Sequence, residues 1–467
     1  MLTLFSPGVA GDCARIARRD FLRVGGLSLG GLSLVDLLRV KSLAAPSSSI
    51  VRDKAVVLVF LSGGPSHIET FDPKPTAPAE IRSMTGDVAT SLPGVSFGGT
   101  FTRLSALAHR MAMVRSFAHP INEHVAAISH VLTGGSDRTG KGLEGFGLGS
   151  LYARFRGTNH PQTGLPTNAL LTADEVDSQY NSEKGRVQKG SAPRGLGQAF
   201  APFDVSGKSD AVRNMSLSLN VDRLDDRRQL LTSLDRVNRS IDTSGTMASL
   251  DRLQQQAVDL VLGSASRAFD LTREDPRLVA RYDTTEIPIG HKKFRPSTLG
   301  HQLLLARRLC ETGCGFVTIH SGGWDMHADG NNPGIVGGMN MLGRSLDHAV
   351  SAFLEDVEQR GLADKILLVI TGDFGRTPRV NKRGGRDHWA NLGTLAFAGG
   401  GLKMGQVVGQ SARNVDVPAS EPITPAHLLG TLVHLLFDVA QLRLLPGAPR
   451  DALKSIEDAP TISQLIG

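Results

Sequence analysis

Four short polar stretches of this sequence carry residue types that bind cations or move protons, and each follows an apolar run. The first is Ser62-Gly63-Gly64-Pro65-Ser66-His67-Ile68-Glu69-Thr70-Phe71-Asp72, and the second is His119-Pro120-Ile121-Asn122-Glu123-His124. The third is Ser321-Gly322-Gly323-Trp324-Asp325-Met326-His327; the fourth is Gly372-Asp373-Phe374-Gly375-Arg376-Thr377-Pro378, followed by Arg386-Asp387-His388-Trp389. Carboxylates and imidazoles arriving from several directions are what a divalent cation needs, because its ligands must surround one small charge. Arg376 or Arg379 could then fork onto a bound oxyanion. Ser66, His67 and Asp72 also match a serine-hydrolase set by type. Three residues of one short loop rarely place nucleophile, base and orienter correctly, and no nucleophile elbow is present. The pairs Gly63-Gly64 and Gly322-Gly323 lack the spacing of a phosphate cradle and read as tight strand-to-loop turns.

These stretches need a scaffold that presents them together. AVVLVFL (55–61) is a continuous, β-branched run ended by Ser-Gly-Gly-Pro, the pattern of a strand buried on both faces. Comparable runs recur at MAMVRSF (111–117), FVTIH (316–320), ILLVIT (366–371) and TLAFAGG (394–400), with helical patterns such as LGRSLDHAVSAFLEDVEQRG between them. Alternating strands and amphipathic helices predict an α/β fold with a mostly parallel sheet covered on both faces. Ligands of such sheets bind beyond the carboxyl ends of the strands, where the four polar stretches fall. The region of about 172–300 is rich in interspersed Arg, Asp, Gln and Ser at helical spacing, and is expected to be a helical insertion or cap with a solvated face. ITPAHLLGTLVHLLFDVA predicts a closing C-terminal helix.

With 467 residues, 40% of them hydrophobic and 21% charged, the composition is that of a globular chain. The formal charge is +6, and residues 1–50 supply +3 of it through six basic and three acidic residues. The remainder is too small and dispersed to argue for a nucleic-acid partner. Arg18-Arg19-Asp20-Phe21-Leu22-Arg23, a Gly-rich and mildly apolar run, and then SLAAPSSS make a twin-arginine export signal over residues 1–45. The expected mature domain is 50–467, periplasmic or otherwise extracytoplasmic, with the twin-arginine machinery as a transient partner. No later stretch is long and apolar enough to span a bilayer. Of three cysteines, Cys13 falls in the signal, while Cys310 and Cys314 sit where a helix enters a strand and are expected to fill the core.

The segments FLSGGPSHIETFDPKP, VRSF with a His-rich loop ending LTGG, HSGGWDMH, and TGDFGRTPR followed by GRDHW together resemble the domain of unknown function 1501 family. That family stands beside the alkaline phosphatases and sulfatases. The resemblance implies a three-layer α/β/α sandwich, alkaline phosphatase-like, with a helical insertion. It also implies a divalent metal (zinc, manganese or calcium), and a phosphate or sulfate ester of a small molecule or polysaccharide as substrate. By chain order, Asp325 and His327 resemble the first ligands of one metal and His388 its later His ligand. Asp373 resembles the Asp of an Asp-His pair serving a second metal.

Three departures accompany this likeness. Phe374 stands where the second His is expected, Gly63 or Gly64 stands near the usual first-strand Asp, and Asp325 and His327 are closer than in the superfamily. His124 falls near the nucleophile position and could be a ligand, a general base, a phosphorylated nucleophile or a loop-ordering residue. His67 and Asp72 are candidates to replace the missing first-strand ligand, and Asp387 is a further site candidate. The sequence therefore predicts a metal-dependent hydrolase-like protein with His124 beside the reacting group and Arg376 on an anionic oxygen. Its rival is a metal-free, non-catalytic protein of the same fold that binds anionic polysaccharide or a cell-envelope partner.

Overall fold

The structure is a computed structural model, which describes residues 50–139, 141, 144–172, 178–206, 266–287, 291 and 294–466. Contacts divide the chain into Met1–Ile50 and Val51–Gly467, and the second unit contains the whole central sheet. The twin-arginine segment and the helical patterns of 221–241 and 249–265 lie outside the described residues.

Eight strands form one sheet: β1 (Ala55–Leu61), β2 (Met111–Val114), β3 (Asn168–Thr172), β4 (Phe203–Ser206), β5 (Phe316–Ser321), β6 (Ile366–Gly372), β7 (Leu395–Gly399) and β8 (Gln406–Val408). Their spatial order is β8-β2-β7-β6-β1-β5-β3-β4. β1 is central, pairing in parallel with β5 and β6, so Leu61 stands opposite both Ser321 and Gly372. Three strands thus end at one level and release their polar loops side by side. β3 also pairs in parallel with β5 and β4, and β8 with β2.

β7 runs antiparallel to both neighbours, whereas its apolar sequence suggested another parallel strand. The cause is its connection. Residues 373–394 stay at the carboxyl end of β6, where Gly375–Arg376 pair antiparallel with His388–Trp389. The chain never crosses to the other end, so it re-enters the sheet reversed. β3, β4 and β8 were not foreseen, being short or lacking a long apolar run.

Both faces of the sheet are covered. Ala55, Val57, Val59 and Leu61 join a core with Leu303, Leu304 and Leu309 of the helix Leu299–Thr312 and with Leu346, Val350 and Phe353 of the helix Arg344–Gln359. Val56, Leu58 and Phe60 point the other way and are also buried, which fixes the three-layer α/β/α arrangement. Cys310 and Cys314 are free and buried, as expected.

Three further helices are α1 (His124–Leu132), α2 (Leu148–Arg156) and α3 (Asn181–Gly190). α2 packs on β3 and β5, and α1 packs against α3. α3 and β4 fall within 172–300, so the described start of that region supplies a strand of the main sheet and a helix against α1. The helix expected to close the chain forms over Pro425–Leu436, begun by proline at its first turn, but it ends at the extended Phe437, and two further helices, Val439–Leu442 and Arg450–Glu457, follow it. Among the described residues no helix is long and apolar enough to cross a membrane.

Candidate metal centre

The loop after β1 turns through Gly63 and Gly64 at φ +106° and +81°. A Cβ at Gly63 would lie 2.5 Å from the Asp325 backbone nitrogen, and one at Gly64 would lie 2.8 Å from the Phe374 ring. Only glycine allows the three loops to approach so closely. The turn also aims two backbone N–H groups at one carboxylate: Gly63 and Gly64 donate to Asp373 Oδ1 at 3.0 and 2.7 Å.

The other oxygen of Asp373 accepts from His124 Nδ1 at 2.5 Å. His124 is the first residue of α1, and Glu123 before it caps the helix by accepting from Val125 and Ala126. With Nδ1 held by Asp373, Nε2 is the nitrogen that could give up its proton to a cation, and that atom is buried without a hydrogen-bond partner. It lies 3.6 Å from Asp325 Oδ2. The His388 ring has the same polarity. Its Nδ1 donates to the Asn122 carbonyl at 3.0 Å, leaving Nε2 3.5 Å from Asp325 Oδ1.

One ligand atom from each of His124, Asp325 and His388 lies within 4.8 Å of the other two. Two imidazole nitrogens and a carboxylate oxygen, with histidine tautomers fixed from behind, suit a transition-metal or zinc ion and fit the expected cation. His327 borders this set, its Nε2 2.9 Å from both Asp325 Oδ1 and His388 Nε2, and its Nδ1 donates to Asp387 Oδ1 at 2.9 Å. Asp387 is more than half exposed and orients His327.

Electrostatics reflect this crowding. Burial alone would lower the His124 pKa, but the Asp325 and Asp373 carboxylates outweigh it and raise it to about 10. Burial would raise the Asp325 pKa, yet bonding with His124, His327 and His388 and the Arg376 charge hold it far below the usual range. The His327 pKa is raised, chiefly by Asp325.

Asp373 and Arg376 occupy different roles from those expected. Asp373, fully buried, already uses its oxygens on two backbone N–H groups and His124 and stands outside the three-residue set. It orients the His124 imidazole. Arg376, also fully buried, donates to the carbonyls of Gly63, Gly64 and Arg386 and to Asp325 Oδ1, the last at 2.5 Å. Its guanidinium ties three strand-end loops together, which leaves no free fork for an external oxyanion. Arg386 acts likewise, pairing with buried Glu69 at 3.1 Å and donating to the Thr377, Pro378 and Ile81 carbonyls.

His67 and Asp72 do not join the cluster. Asp72 pairs with Arg115 at 3.3 Å and Lys74 at 3.6 Å and accepts from Ser411. His67 Nε2 donates to the Val415 carbonyl at 3.4 Å, and burial lowers its pKa to about 4, keeping the ring neutral. Ser66 donates to Glu69 rather than to His67, so no serine-hydrolase geometry arises. Phe374 lies with its ring centroid 4.8 Å from His124 and 4.6 Å from His388, an apolar wall where a second histidine was expected.

Sequence reasoning missed one group altogether. Ser62 Oγ donates to Glu183 Oε2 at 2.7 Å and accepts from His320 Nε2 at 2.7 Å, all three residues being buried. Burial raises the Glu183 pKa to about 7, against the lowering effect of Ser62. Glu183 lies in NSEKGRVQKG, a polar helix that reads as a solvated face. The available signal was Val187, four residues on and equally inward, which marks Glu183 as part of a buried stripe.

No curated protein matches the chain, whereas many solved structures do. A lipoteichoic acid synthase, LtaP from Listeria monocytogenes, is 9% identical over 84% of this chain and 76% of its own, with a TM-score of 0.36. The PsFucS1 sulfatase from Pseudoalteromonas sp. is 12% identical over 81% and 69%, with a TM-score of 0.34. The phosphonate monoester hydrolase SpPMH from Silicibacter pomeroyi is 10% identical over 82% and 73%, also with a TM-score of 0.34. The sequence model described as "Protein of unknown function (DUF1501)" matches residues 53–446, most of the chain, and the protein therefore belongs to the DUF1501 family.

Proposed function

We propose that this chain is an exported, metal-dependent hydrolase of sulfate or phosphate esters that works with one cation. The observation that carries the proposal is the buried, unpartnered Nε2 of His124 facing Asp325 and His388. His124, Asp325 and His388 would hold the cation. Bound there, it would polarise an ester oxygen and lower the pKa of a water molecule.

The chain's own residues supply the rest. Asp373 holds the His124 tautomer, and Phe374 shields one side of the cluster from water. Arg376 fixes the loops around Asp325. His327, oriented by Asp387, has its Nε2 at the edge of the cluster and is placed to exchange a proton with the reacting group. The twin-arginine segment at Arg18-Arg19 supports folding, and cation loading, before export. The ester class rests on the resemblance of the strand-end motifs to a family that stands beside the alkaline phosphatases and sulfatases.

The first experiment is elemental analysis of the mature protein purified without chelator. About one equivalent of a divalent metal, lost in His388→Ala, supports the proposal and justifies an ester screen. A folded protein that carries no metal and takes up no added zinc, manganese or calcium overturns it in favour of the non-catalytic binding role.

A further inference from the structure

A second concavity, outside the strand-end loops, is built by the periodicity of two helices. In Pro276–Tyr282, Arg277 and Arg281 stand four residues apart and share a face; in Arg344–Gln359, His348, Ser351 and Glu355 do the same at spacings of three and four. These faces meet at a groove of about 320 Å³, lined also by two alanines and by Arg103, the residue before the short helix Leu104–Arg110.

The walls are tied together by bonds that need no occupant. The buried Asp347 carboxylate accepts from the backbone N–H groups of Arg103 and Leu104 at 3.1 and 2.7 Å. His348 Nε2 donates to the Arg281 carbonyl at 2.8 Å, and the Tyr282 hydroxyl donates to Asp356 at 2.9 Å. The groove is therefore preformed.

Its polar groups are not all satisfied. Arg281 donates to Glu355 and Gln359 at 2.8 and 3.1 Å. The Arg103 and Arg277 guanidiniums are exposed, and neither makes a hydrogen bond or ion pair with a described residue. Burial, and then the Arg103 charge, lower the His348 pKa, so the imidazole is neutral and adds no competing cation. Ser351 is buried in the wall, and its hydroxyl has no hydrogen-bond partner. Three guanidiniums around one cavity, with Glu355 as its single carboxylate, repel one another, and a cleft lined by one sign of charge concentrates counter-ions. A solvated arginine face accounts for the exposed charges, but not for a buried hydroxyl left unbonded in the same wall.

We propose that this groove binds a small phosphorylated or sulfated anion, whose oxygens the Arg103 and Arg277 guanidiniums grip, with the Ser351 hydroxyl as a further donor. A planar guanidinium matches two oxygens of a tetrahedral oxyanion at once. The proposal goes beyond the metal-centre reading and does not depend on it, since the two sites share no residue.

Calorimetric titration of the mature protein with inorganic phosphate and inorganic sulfate, at fixed ionic strength, tests it. The titrations are made in the parent and in His388→Ala, which silences the metal centre. His388→Ala is expected to retain one equivalent of bound anion, and the stronger of the two probes names the group. Adding Arg103→Gln with Arg277→Gln to that background should weaken binding about tenfold or more and make its salt dependence shallower. Ser351→Ala should weaken it about two- to tenfold at an unchanged melting temperature, because no bond of the free protein is lost. Arg450→Gln, an exposed arginine on another helix, should bind as the parent does. Binding of neither anion by the parent, or undiminished binding without the two arginines, overturns the proposal. So does loss of all binding in His388→Ala, which would assign the anion to the metal centre. Elemental analysis judges the metal centre separately, so either reading can fail while the other stands.

Discussion

Two polar clusters lie in the strand-end loops of this protein, one around His124, Asp325 and His388, the other around His67 and Asp72, and both combine imidazole with carboxylate. In the second, opposite charges are already present: Arg115 and Lys74 neutralise Asp72, while His67 is buried and neutral. In the first, Asp325 faces Arg376 and three histidines, and the Nε2 of His124 has no bonding partner. A carboxylate satisfied by arginine and lysine holds loops. Imidazole nitrogens gathered around one carboxylate are the arrangement that a cation would need.

The most severe test of that contrast removes one residue from each cluster. His388→Ala should weaken metal binding by more than about 100-fold, beyond the upper end for outer-shell changes. Asp72→Asn should retain full metal content and lower only the melting temperature. Elemental analysis after gel filtration, paired with thermal melts, checks both; metal loss in Asp72→Asn would erase the distinction between the clusters.

The next effect in size tests whether Asp373 acts through His124. Asp373→Asn should lower metal affinity by about 10–100-fold. It should also cost roughly 3–5 kcal/mol of stability, since an amide nitrogen would face N–H donors in a buried pocket. Competition with a chelator measures the first, and denaturant unfolding the second. Unchanged metal affinity would show that the Asp373–His124 bond does not orient a ligand.

Much of this architecture was legible in the sequence because the central strands are continuous apolar runs, as at 55–61 and 366–372, that admit little else. The reversal of β7 was not legible, since an apolar run does not encode direction; the short hairpin of Gly375–Arg376 with His388–Trp389 decides it. The candidate site was legible as four loops and not as individual roles. Arg376 was assigned to a substrate oxyanion on residue type, but its donors end on the Gly63, Gly64 and Arg386 carbonyls, partners defined only by tertiary structure. Glu183 was hidden for the opposite reason: a charged residue in a polar helix gives no sign that it is buried against Ser62.

The metal-free protein should also titrate in a way that separates the two clusters. The folded His124 pKa is raised to about 10 from an ordinary 6.5. Its stabilising contribution is therefore complete below pH 6.5 and is lost as pH rises through about 10. Melting temperatures of apoprotein should fall over that window, and His124→Gln should remove this part of the slope. Metal uptake should release a proton and tighten as pH rises. His67, neutral in the fold, should contribute nothing there, so a slope that persists in His124→Gln would assign the titration to another group.

The smallest expected effect belongs to Glu183, beneath the first cluster. Its pKa is raised, chiefly by burial, from 4.5 to about 7, so folding favours the protonated carboxyl. A raised pKa gives a contribution complete below pH 4.5 that is lost as pH rises through about 7. This window precedes that of His124, which lets one series of melts separate the two. Glu183→Gln keeps an acceptor for the Ser62 hydroxyl while removing the charge, and should flatten the decline between pH 4.5 and 7 without changing that above 7. If the decline is unaltered, Glu183 is ionised throughout, and the bond to Ser62 must then be charge-assisted and strong enough to offset the cost of burying the carboxylate.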